Sequence, residues 1–305
     1  MKILAVIPAR YDSVRFPGKV LAKNTGKYLI QHTYEQACRA ELLSKVIIAT
    51  DSEKVLAACK EFGGECVMTS PDHQSGTDRI AEAVAAYDVK LATEATENTE
   101  VNKGTNSNTI KANMATEPLA SLGVPSGHAT QPSTFGGCHP SQATTGYDIV
   151  VNVQGDEPEI DPANIDKLAK LLVDNPKCQM ATLVAAFESK EQVSDANIVK
   201  VIVDKNGYAI YFSRSVIPYD RTAGGAGDIK NYLRHLGIYA YRKGFLNTIT
   251  KLPQTSLEKL EKLEQLRAIE NGYQILTAKV EHTCDGIDTP QQYEAFVKRY
   301  SPERK

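Results

Sequence analysis

The chain has 305 residues, of which 42% are hydrophobic and 24% are charged, and its formal net charge is -2. This composition is typical of a globular protein with one large core or two unequal ones. The small net charge makes a nucleic-acid partner a poor first hypothesis, although a local basic cleft could still hold a nucleotide.

Hydropathy and cysteine spacing exclude further classes of protein. No apolar run approaches the roughly 18–20 residues that cross a bilayer, and the apolar opening at residues 1–7 is too short for a signal-peptide core. The six cysteines include no Cys-x-x-Cys pair, so neither a zinc site nor a disulfide framework is indicated. We therefore expect a cytoplasmic protein with no membrane partner.

The N-terminal part of the chain alternates strand and helix patterns. Residues 3–7 form a continuous apolar run, typical of a strand buried on both faces. A helical pattern from Lys27 and a strand at 45–49 follow, and then a helix at 52–62 and a short strand at 65–68. The alternation predicts an α/β fold with a doubly wound, mostly parallel sheet, in which ligands bind beyond the carboxyl ends of the strands.

The C-terminal half is expected to add antiparallel pairing, which makes the sheet mixed. Asn206-Gly207 lies between two apolar runs and is a strong hairpin signal. A capping-box pattern at Thr255 and a leucine stripe up to Ile269 predict one helix that ends at Asn271-Gly272. The remaining predictions are a helix at residues 162–174 and strands at 148–153, 180–186, 198–203, 208–212 and 274–280.

Residues 88–147 differ in composition from the rest of the chain. From Val89 onwards they are rich in Thr, Ser, Asn, Gly and Ala and show no sustained period. We expect a largely disordered insertion in a single domain that spans residues 1–305. His128, Cys138 and His139 lie in this segment, but their spacing does not indicate a metal site, so a solvated insertion is preferred.

The first loop, at residues 8–19, combines three cations with a glycine directly after a buried strand. Arg10, Arg15 and Lys19 would offset the charge of a triphosphate, and Gly18 would let the backbone approach the phosphates closely. The spacing is not that of a Walker loop. On charge and glycine content alone, a solvated surface loop is about equally consistent.

Two acidic loops are predicted at the same edge of the sheet. Asp156 follows the strand at 148–153, and Asp288 follows the strand at 274–280. Carboxylates there would repel a triphosphate unless a metal lay between them, and Mg²⁺ binds one or two carboxylates together with phosphate oxygens and water. Asp156 could instead belong to an acidic turn, and Asp288 could equally be a helix N-cap, a role compatible with metal binding because each uses a different oxygen.

Two further segments carry polar side chains in suggestive positions. Residues 73–79 surround a glycine at the start of a helix, which suits contacts to a base edge or a ribose. Arg234 and His235 begin a strand and could hold a carboxylate, although a lone strand histidine is more often a structural partner.

These segments match one family in order along nearly the whole chain. The sequence closely resembles the 3-deoxy-manno-octulosonate cytidylyltransferases, or CMP-Kdo synthetases. The matching blocks are residues 7–11 with 15–19, 49–51, 72–79, 151–158, 211–214, 234–241, 263–267 and 286–290. The chain departs from the family pattern at residues 13–16 and at 88–147, which the family normally spans with a short link.

The resemblance implies a nucleotidyltransferase fold with a smaller antiparallel subregion, at about residues 186–245, for sugar binding and dimerisation. It implies transfer of CMP from CTP to 3-deoxy-D-manno-octulosonate (Kdo) for lipopolysaccharide biosynthesis by a homodimer that uses Mg²⁺.

The resemblance also implies roles for individual residues. The catalytic residues would be Arg10, Lys19, Asp156 and Asp288, the two aspartates being the metal ligands. CTP would contact Pro8, Ala9, Arg10, Gly18, Lys19, Ser75, Gly76, Thr77 and Arg79. The sugar would contact Arg15, Gln154, Arg214, His235, Tyr239, Glu264 and Gln265.

Two alternatives remain open from the sequence. The acceptor could be another acid sugar, such as 8-amino-Kdo or a sialic acid, although residues 234–241 argue against sialic acid. The chain could also be a non-catalytic nucleotide-sugar binding protein, which the presence of both aspartates together with Arg10 and Lys19 disfavours.

Overall fold

The computed structural model describes residues 1–13, 15–73, 75–104 and 146–300. The chain divides into two units, one formed by Met1–Asp88 with Gly146–Lys305 and the other by Val89–Thr145. Within the described residues, no helix is long and apolar enough to span a membrane.

The strands of the first unit form one mixed sheet. In chain order they are β1 (Ile3–Ala9), β2 (Lys45–Thr50), β3 (Cys66–Met68), β4 (Ile149–Asn152), β5 (Met180–Ala186), β6 (Lys200–Val203), β7 (Ala209–Ser213), β8 (Leu233–Arg242) and β9 (Ile275–Val280). Their order across the sheet is β3-β2-β1-β4-β8-β5-β9, and β6 pairs with β7 and β8.

The α-helices assigned in the described ranges alternate with the strands in the N-terminal part and cluster between β8 and β9 further on. They are α1 (Leu29–Ala37), α2 (Glu53–Phe62), α3 (Gly76–Gly104), α4 (Pro162–Asp174), α5 (Lys190–Ser194), α6 (Lys243–Ile249), α7 (Ser256–Glu261), α8 (Gln265–Glu270) and α9 (Pro290–Tyr300).

Strand direction changes in the middle of the sheet. β1 runs parallel to β2 and β4, and β2 runs parallel to β3. β8 is antiparallel to β4 and β5, and the predicted hairpin forms between β6 and β7. The predicted α/β fold with a mixed sheet is therefore confirmed.

The core explains why the parallel strands could be recognised from sequence. Each residue of β4, and each residue of β1 except Pro8, is buried, because helices and loops cover both faces of a parallel sheet. Helix α4 begins as predicted, with the Asp161 carboxylate accepting a hydrogen bond from the Ala163 N–H at 2.9 Å. Its buried residues Ile165, Leu168 and Leu172 pack in the same core cluster as alternate residues of β1 and β4.

The prediction of a loop from Val89 is wrong for its first part. Helix α3 continues to Gly104, so residues 89–104 are helical. Within this stretch the Thr93 hydroxyl donates to the Val89 carbonyl, one helical turn earlier, at 3.0 Å. Residues 105–145 of the predicted insertion, with His128, Cys138 and His139, lie outside the described residues.

The single helix predicted from Thr255 to Ile269 is also wrong, because the chain forms two short helices, α7 and α8. Lys262 ends α7 in the left-handed region, with φ of 55°. The predicted capping box at Thr255 is present, with Glu258 as its second member. The leucine stripe does not form one buried face, since Leu260 is 79% exposed.

A buried ion pair accounts for this break. The Arg267 guanidinium donates to both carboxylate oxygens of Glu258, at 2.9 and 2.6 Å. In a continuous helix these residues would be separated by about 13 Å along the axis, too far for a bidentate pair. The break brings the two side chains together in the interior.

We predict that Arg267→Met lowers the free energy of unfolding by about 3–5 kcal/mol, because it leaves the buried Glu258 carboxylate without its cation. The matched control is Lys170→Met on α4, whose ion pair with Asp174 is exposed and is expected to contribute less than about 0.5 kcal/mol. Urea unfolding of both variants measures the difference. Equal, small losses would show that the pair does not stabilise the α7–α8 turn.

Candidate active site

Three loops meet at the carboxyl edge of the parallel strands. The loop after β1 carries Arg10 and Lys19, the loop after β4 carries Asp156, and the loop between β9 and α9 carries Asp288. A cavity of about 260 Å³ lies between the first two loops, and a cavity of about 650 Å³ extends from the third. Asp156 lines both cavities.

Lys19 joins the two predicted metal ligands. Its Nζ donates to Asp156 Oδ2 at 2.7 Å, to Asp288 Oδ1 at 2.9 Å and to the Ile287 carbonyl at 2.9 Å. Burial by itself lowers the pKa of this ammonium group, but the two carboxylates outweigh it and raise the pKa above its usual value. Lys19 is therefore a permanent cation between two carboxylates.

Main-chain contacts fix the separation of the two acidic loops. The Ile287 N–H donates to the Asp156 carbonyl at 2.8 Å. Gly286 lies beside Asp156, since an added Cβ would be in ordinary van der Waals contact with its Oδ1 at 3.6 Å. The Cys284 thiol contacts Glu157 Oε2 at 3.7 Å. The relative position of the two aspartates thus depends on the backbone of the third loop.

The alternative role of Asp288 as a helix N-cap is wrong. Thr289 caps α9 instead, since its hydroxyl accepts from the Gln292 N–H at 3.2 Å. The Gln292 side chain in turn accepts from the N–H groups of Asp288 and Thr289, at 2.8 and 2.9 Å. The Asp288 carboxylate is left to Lys19 and to Arg15, whose Nη2 lies 2.8 Å from Asp288 Oδ2.

Two glycines shape these loops, because Gly18 permits a turn within the first loop and Gly155 lets the second loop approach the first. Gly18 has φ of 69°, in the left-handed region, and its N–H donates to the Tyr11 carbonyl at 3.0 Å. At Gly155 an added Cβ would lie 2.8 Å from the Pro8 carbonyl oxygen. A larger residue at position 155 would therefore push the two loops apart.

The segment at residues 73–79 contacts the first loop. Arg10 Nη2 donates to the His73 carbonyl at 2.7 Å, and Gly76 and Arg10 line the smaller cavity together with Pro8. Ser75 accepts from the Asp78 N–H at 3.1 Å at the start of α3. The N-terminus of this helix therefore lies beside the cationic loop.

Arg79 occupies a different position from the other residues predicted to contact CTP. Its side chain is fully buried, and its guanidinium donates to Thr69 Oγ1 at 2.6 Å and to Asp51 Oδ2 at 2.5 Å. It is not among the residues that line the smaller cavity. In this structure Arg79 ties α3 to the ends of β2 and β3.

The residues predicted to contact the sugar divide into three groups. Arg15, His235, Tyr239 and Gln265 line the larger cavity. Gln154 lines the smaller cavity, and Glu264 lies beside Thr77 in a small adjoining cavity. Arg214 lines none of these, because its guanidinium donates to the carbonyls of Glu261 at 2.7 Å and Ala196 at 3.0 Å.

His235 is a neutral member of the larger cavity. Burial lowers its pKa to about 3. The Thr182 hydroxyl donates to the Ile238 carbonyl at 2.7 Å, so its oxygen accepts from the Nε2–H of His235 at 3.0 Å. This contact fixes the tautomer and leaves Nδ1 as an acceptor.

Sequence reasoning missed several side chains of the site. Asn197, Thr289 and Gln292 line the larger cavity, but they lie in loops or a first helical turn and carry no distinctive pattern. Glu157, which also lines the larger cavity, was not predicted either. Burial and the neighbouring Asp156 raise its pKa to about 8, so it is largely protonated at neutral pH.

The chain matches known proteins over nearly its whole length. A family model described as cytidylyltransferase matches residues 4–112 and 126–276. The 3-deoxy-manno-octulosonate cytidylyltransferase of Syntrophobacter fumaroxidans is 39% identical over 97% of this chain and 96% of the relative. That of Solibacter usitatus is 40% identical over 98% of this chain and 94% of the relative.

A solved structure shows the same fold. The structure of CMP:2-keto-3-deoxy-manno-octonic acid synthetase complexed with CTP covers 98% of each chain, with 34% identity and a TM-score of 0.74. The chain belongs to the 3-deoxy-manno-octulosonate cytidylyltransferase family. The resemblance predicted from sequence is thereby confirmed, and the protein is a nucleotidyltransferase.

We predict that acid destabilises this cytidylyltransferase partly through His235. Because the folded pKa of about 3 lies below the ordinary value of 6.5, the unfolded chain binds more protons between these values. The free energy of unfolding therefore falls as the pH falls from about 6.5 towards 3. His235→Gln, which keeps a donor for Thr182, should make this fall shallower.

Urea unfolding at a series of pH values between 7.5 and about 4 measures the effect. His282→Gln is the matched control, since its side chain is exposed. An unchanged pH dependence in His235→Gln would contradict the assignment of a neutral buried ring.

Proposed function

We propose that this chain transfers CMP from CTP to Kdo, giving CMP-Kdo and pyrophosphate. The observation that carries the proposal is the convergence of Asp156 and Asp288 on Lys19, where the two cavities adjoin. A nucleotidyl transfer between two anionic substrates needs both substrates next to one shared charge centre. The printed names of the relatives supply the identity of the substrates.

The smaller cavity suits CTP. Arg10 and Lys19 provide positive charge, and the backbone around Gly18 allows close approach of phosphate oxygens. The N-terminus of α3, with Ser75, Gly76 and Thr77, lies beside them and favours negative charge. Pro8 and Ala9 end the strand below the loop. Arg79 would act on the nucleotide only by positioning α3.

The two aspartates fit a magnesium site completed by substrate. Within the described ranges, no group of three or more His, Cys, Asp or Glu side chains is arranged to hold a metal. Asp156 and Asp288 already share one cation, the Lys19 ammonium, so their oxygens are placed to act together. Mg²⁺ takes one or two carboxylates and completes its shell with phosphate oxygens and water. Bound there, it would polarise phosphate oxygens and reduce the repulsion between the two anions.

The chain's own residues orient the reaction. The anomeric hydroxyl oxygen of the sugar forms a bond to the α-phosphorus of CTP and loses its proton to water, and the bond from that phosphorus to the bridging oxygen of pyrophosphate breaks. Lys19 and Arg10 would stabilise the charge that builds on pyrophosphate. Kdo would lie in the larger cavity against Arg15, His235, Tyr239 and Gln265, with Gln154 and Glu264 at its edges. Arg214 would not contact the sugar but would hold neighbouring main-chain segments in place through its contacts with Glu261 and Ala196.

The proposal includes the assembly and the compartment that the resemblance implies, a homodimer in the cytoplasm. Cysteine chemistry supports a reducing compartment, because each cysteine in the described part of the chain is a free thiol: Cys38, Cys59, Cys66, Cys178 and Cys284.

We predict that Asp288→Ala lowers kcat by at least about 1000-fold while the protein remains folded, because it removes one of the two carboxylates at the shared charge centre. Pyrophosphate release with CTP, Mg²⁺ and Kdo measures turnover, and circular dichroism checks folding. Glu281→Gln is the matched control, an exposed acid just before the same loop. Near-normal turnover in Asp288→Ala would remove this residue from the mechanism.

We predict that the wild-type protein releases pyrophosphate with Kdo at a higher kcat/KM than with 8-amino-Kdo or a sialic acid. The same assay with each sugar in turn measures the preference. Faster release with another acid sugar would reassign the acceptor, and no release with any sugar would favour a nucleotide-sugar binding protein.

A further inference from the structure

The larger cavity has few positively charged side chains that could bind an acidic ligand. Its lining includes five carboxyl side chains: Asp156, Glu157, Asp195, Asp285 and Asp288. Among the described lining residues, the permanent cations are Arg15 and Arg234, since His235 is neutral. A sugar carboxylate that enters this cavity therefore needs one of the two arginines.

Arg15 is the weaker candidate for a preformed carboxylate site. Its side chain is 64% exposed, and its guanidinium already pairs with Asp288 at 2.8 Å. A long exposed side chain loses considerable conformational freedom when a ligand fixes it. Arg15 can add to binding, but it is not held in place before the sugar arrives.

Arg234 is held in place and retains free hydrogen-bonding capacity. It lies on β8 next to His235, and its side chain is only 10% exposed. A guanidinium has five N–H donors. Nη2 of Arg234 pairs with Asp285 Oδ1 at 2.7 Å, whereas the Nε–H is buried without a hydrogen-bond partner in the described part of the structure. A buried donor without a partner is costly, so the present contacts of Arg234 leave its hydrogen-bonding capacity incompletely used.

The present partner of Arg234 can be exchanged. Asp285 lies on the third loop and is 73% exposed, so its carboxylate can return to water at little cost. A carboxylate of a bound sugar could take its position on the guanidinium and could also reach a second N–H in the bidentate arrangement that arginine favours.

The other arginine assigned to the sugar by resemblance is committed elsewhere. The Arg214 guanidinium donates to two main-chain carbonyls, and the main-chain N–H of Arg214 donates to Glu261 Oε2 at 2.9 Å. It is absent from the lining of the larger cavity. These contacts hold the segment after β7 against the end of α7. The guanidinium is therefore not available to a ligand in the larger cavity.

We propose that Arg234 binds the carboxylate of the sugar substrate, displaces Asp285 in doing so, and thereby sets the preference of the enzyme for acid sugars. This inference rests on the proposed function and adds a specificity-determining residue to it. Asp285 occupies the guanidinium when the cavity is empty, and the sugar carboxylate occupies it during turnover.

The experiment compares Kdo with its C1 amide, at saturating CTP and Mg²⁺, in the wild type and in Arg234→Gln. We expect Arg234→Gln to raise the KM for Kdo about 100-fold, as for loss of a buried charge pair with a ligand, and to leave the KM for CTP unchanged. The KM for the amide should change little, so the discrimination between acid and amide should largely disappear. Unchanged discrimination would overturn the proposal.

Two further variants separate ligand binding from a purely structural role. Asp285→Asn should leave the KM for Kdo unchanged or lower it, because it removes a competing anion. An increase equal to that of Arg234→Gln would mean that the ion pair only holds the third loop. Arg242→Lys is the matched control at the far end of β8, where the guanidinium donates to the Cys178 carbonyl at 3.3 Å. It should affect thermal stability without changing the discrimination.

Calorimetric measurement of Kdo binding distinguishes failure of the Arg234 proposal from failure of the proposed function. Wild-type binding without turnover that is lost in Arg234→Gln would support the role of Arg234 and contradict the proposed function. Turnover by the wild type with full discrimination in Arg234→Gln would contradict only the role of Arg234. If the glutamine variant does not fold, Arg234→Lys replaces it, with a smaller loss of discrimination expected because lysine lacks the bidentate geometry.

Discussion

The ion pairs of Lys19 with Asp156 and Asp288 hold together three loops that are distant in the sequence. Each loop follows a different strand or precedes a different helix, and the ammonium group is the point at which they meet. Without a cation between them the two carboxylates would repel each other across a partly buried space. The proposed division of the cleft into a nucleotide side and a sugar side depends on this balance of charge.

The same balance supports the proposal that the cleft binds two anions. Lys19 and Arg10 lie on the side of the smaller cavity, whereas the larger cavity is lined mainly by carboxylates and neutral polar groups. The neutral state of His235 follows from burial and from the hydrogen bond to Thr182. Among the residues that the structure describes, each cavity is therefore lined by two permanent cations, but the larger cavity has five carboxyl groups and the smaller has two, so the larger cavity has the more negative lining.

Much of the fold could be predicted because strands buried on both faces consist largely of consecutive apolar residues. β1 is a continuous apolar run, β4 is apolar up to Asn152, and the start of α4 is encoded by Asp161 and Pro162. The break between α7 and α8 could not be predicted, because the local pattern from Thr255 to Ile269 favours one helix. The contact that overrides it, between Glu258 and Arg267, exists only once the chain has turned.

The centre of the site was predictable for the same reason as the sheet. Lys19, Asp156 and Asp288 lie in loops at strand ends, so the strand order alone brings them to one edge. The positions of Arg79 and Arg214 were not predictable. Sequence does not reveal that Arg79 is buried against Asp51 or that Arg214 is tied to main-chain carbonyls, because those partners come from other elements.

The hydrogen bond from the Ile287 N–H to the Asp156 carbonyl has an evolutionary consequence. Because both atoms belong to the main chain, the spacing of the two aspartates does not depend on which side chain stands at position 287. Any apolar residue other than proline that fits the small cluster with Leu29 and Phe296 would keep this hydrogen bond. Drift at this position is therefore compatible with an unchanged catalytic centre, whereas insertion or deletion of a single residue in the loop is not.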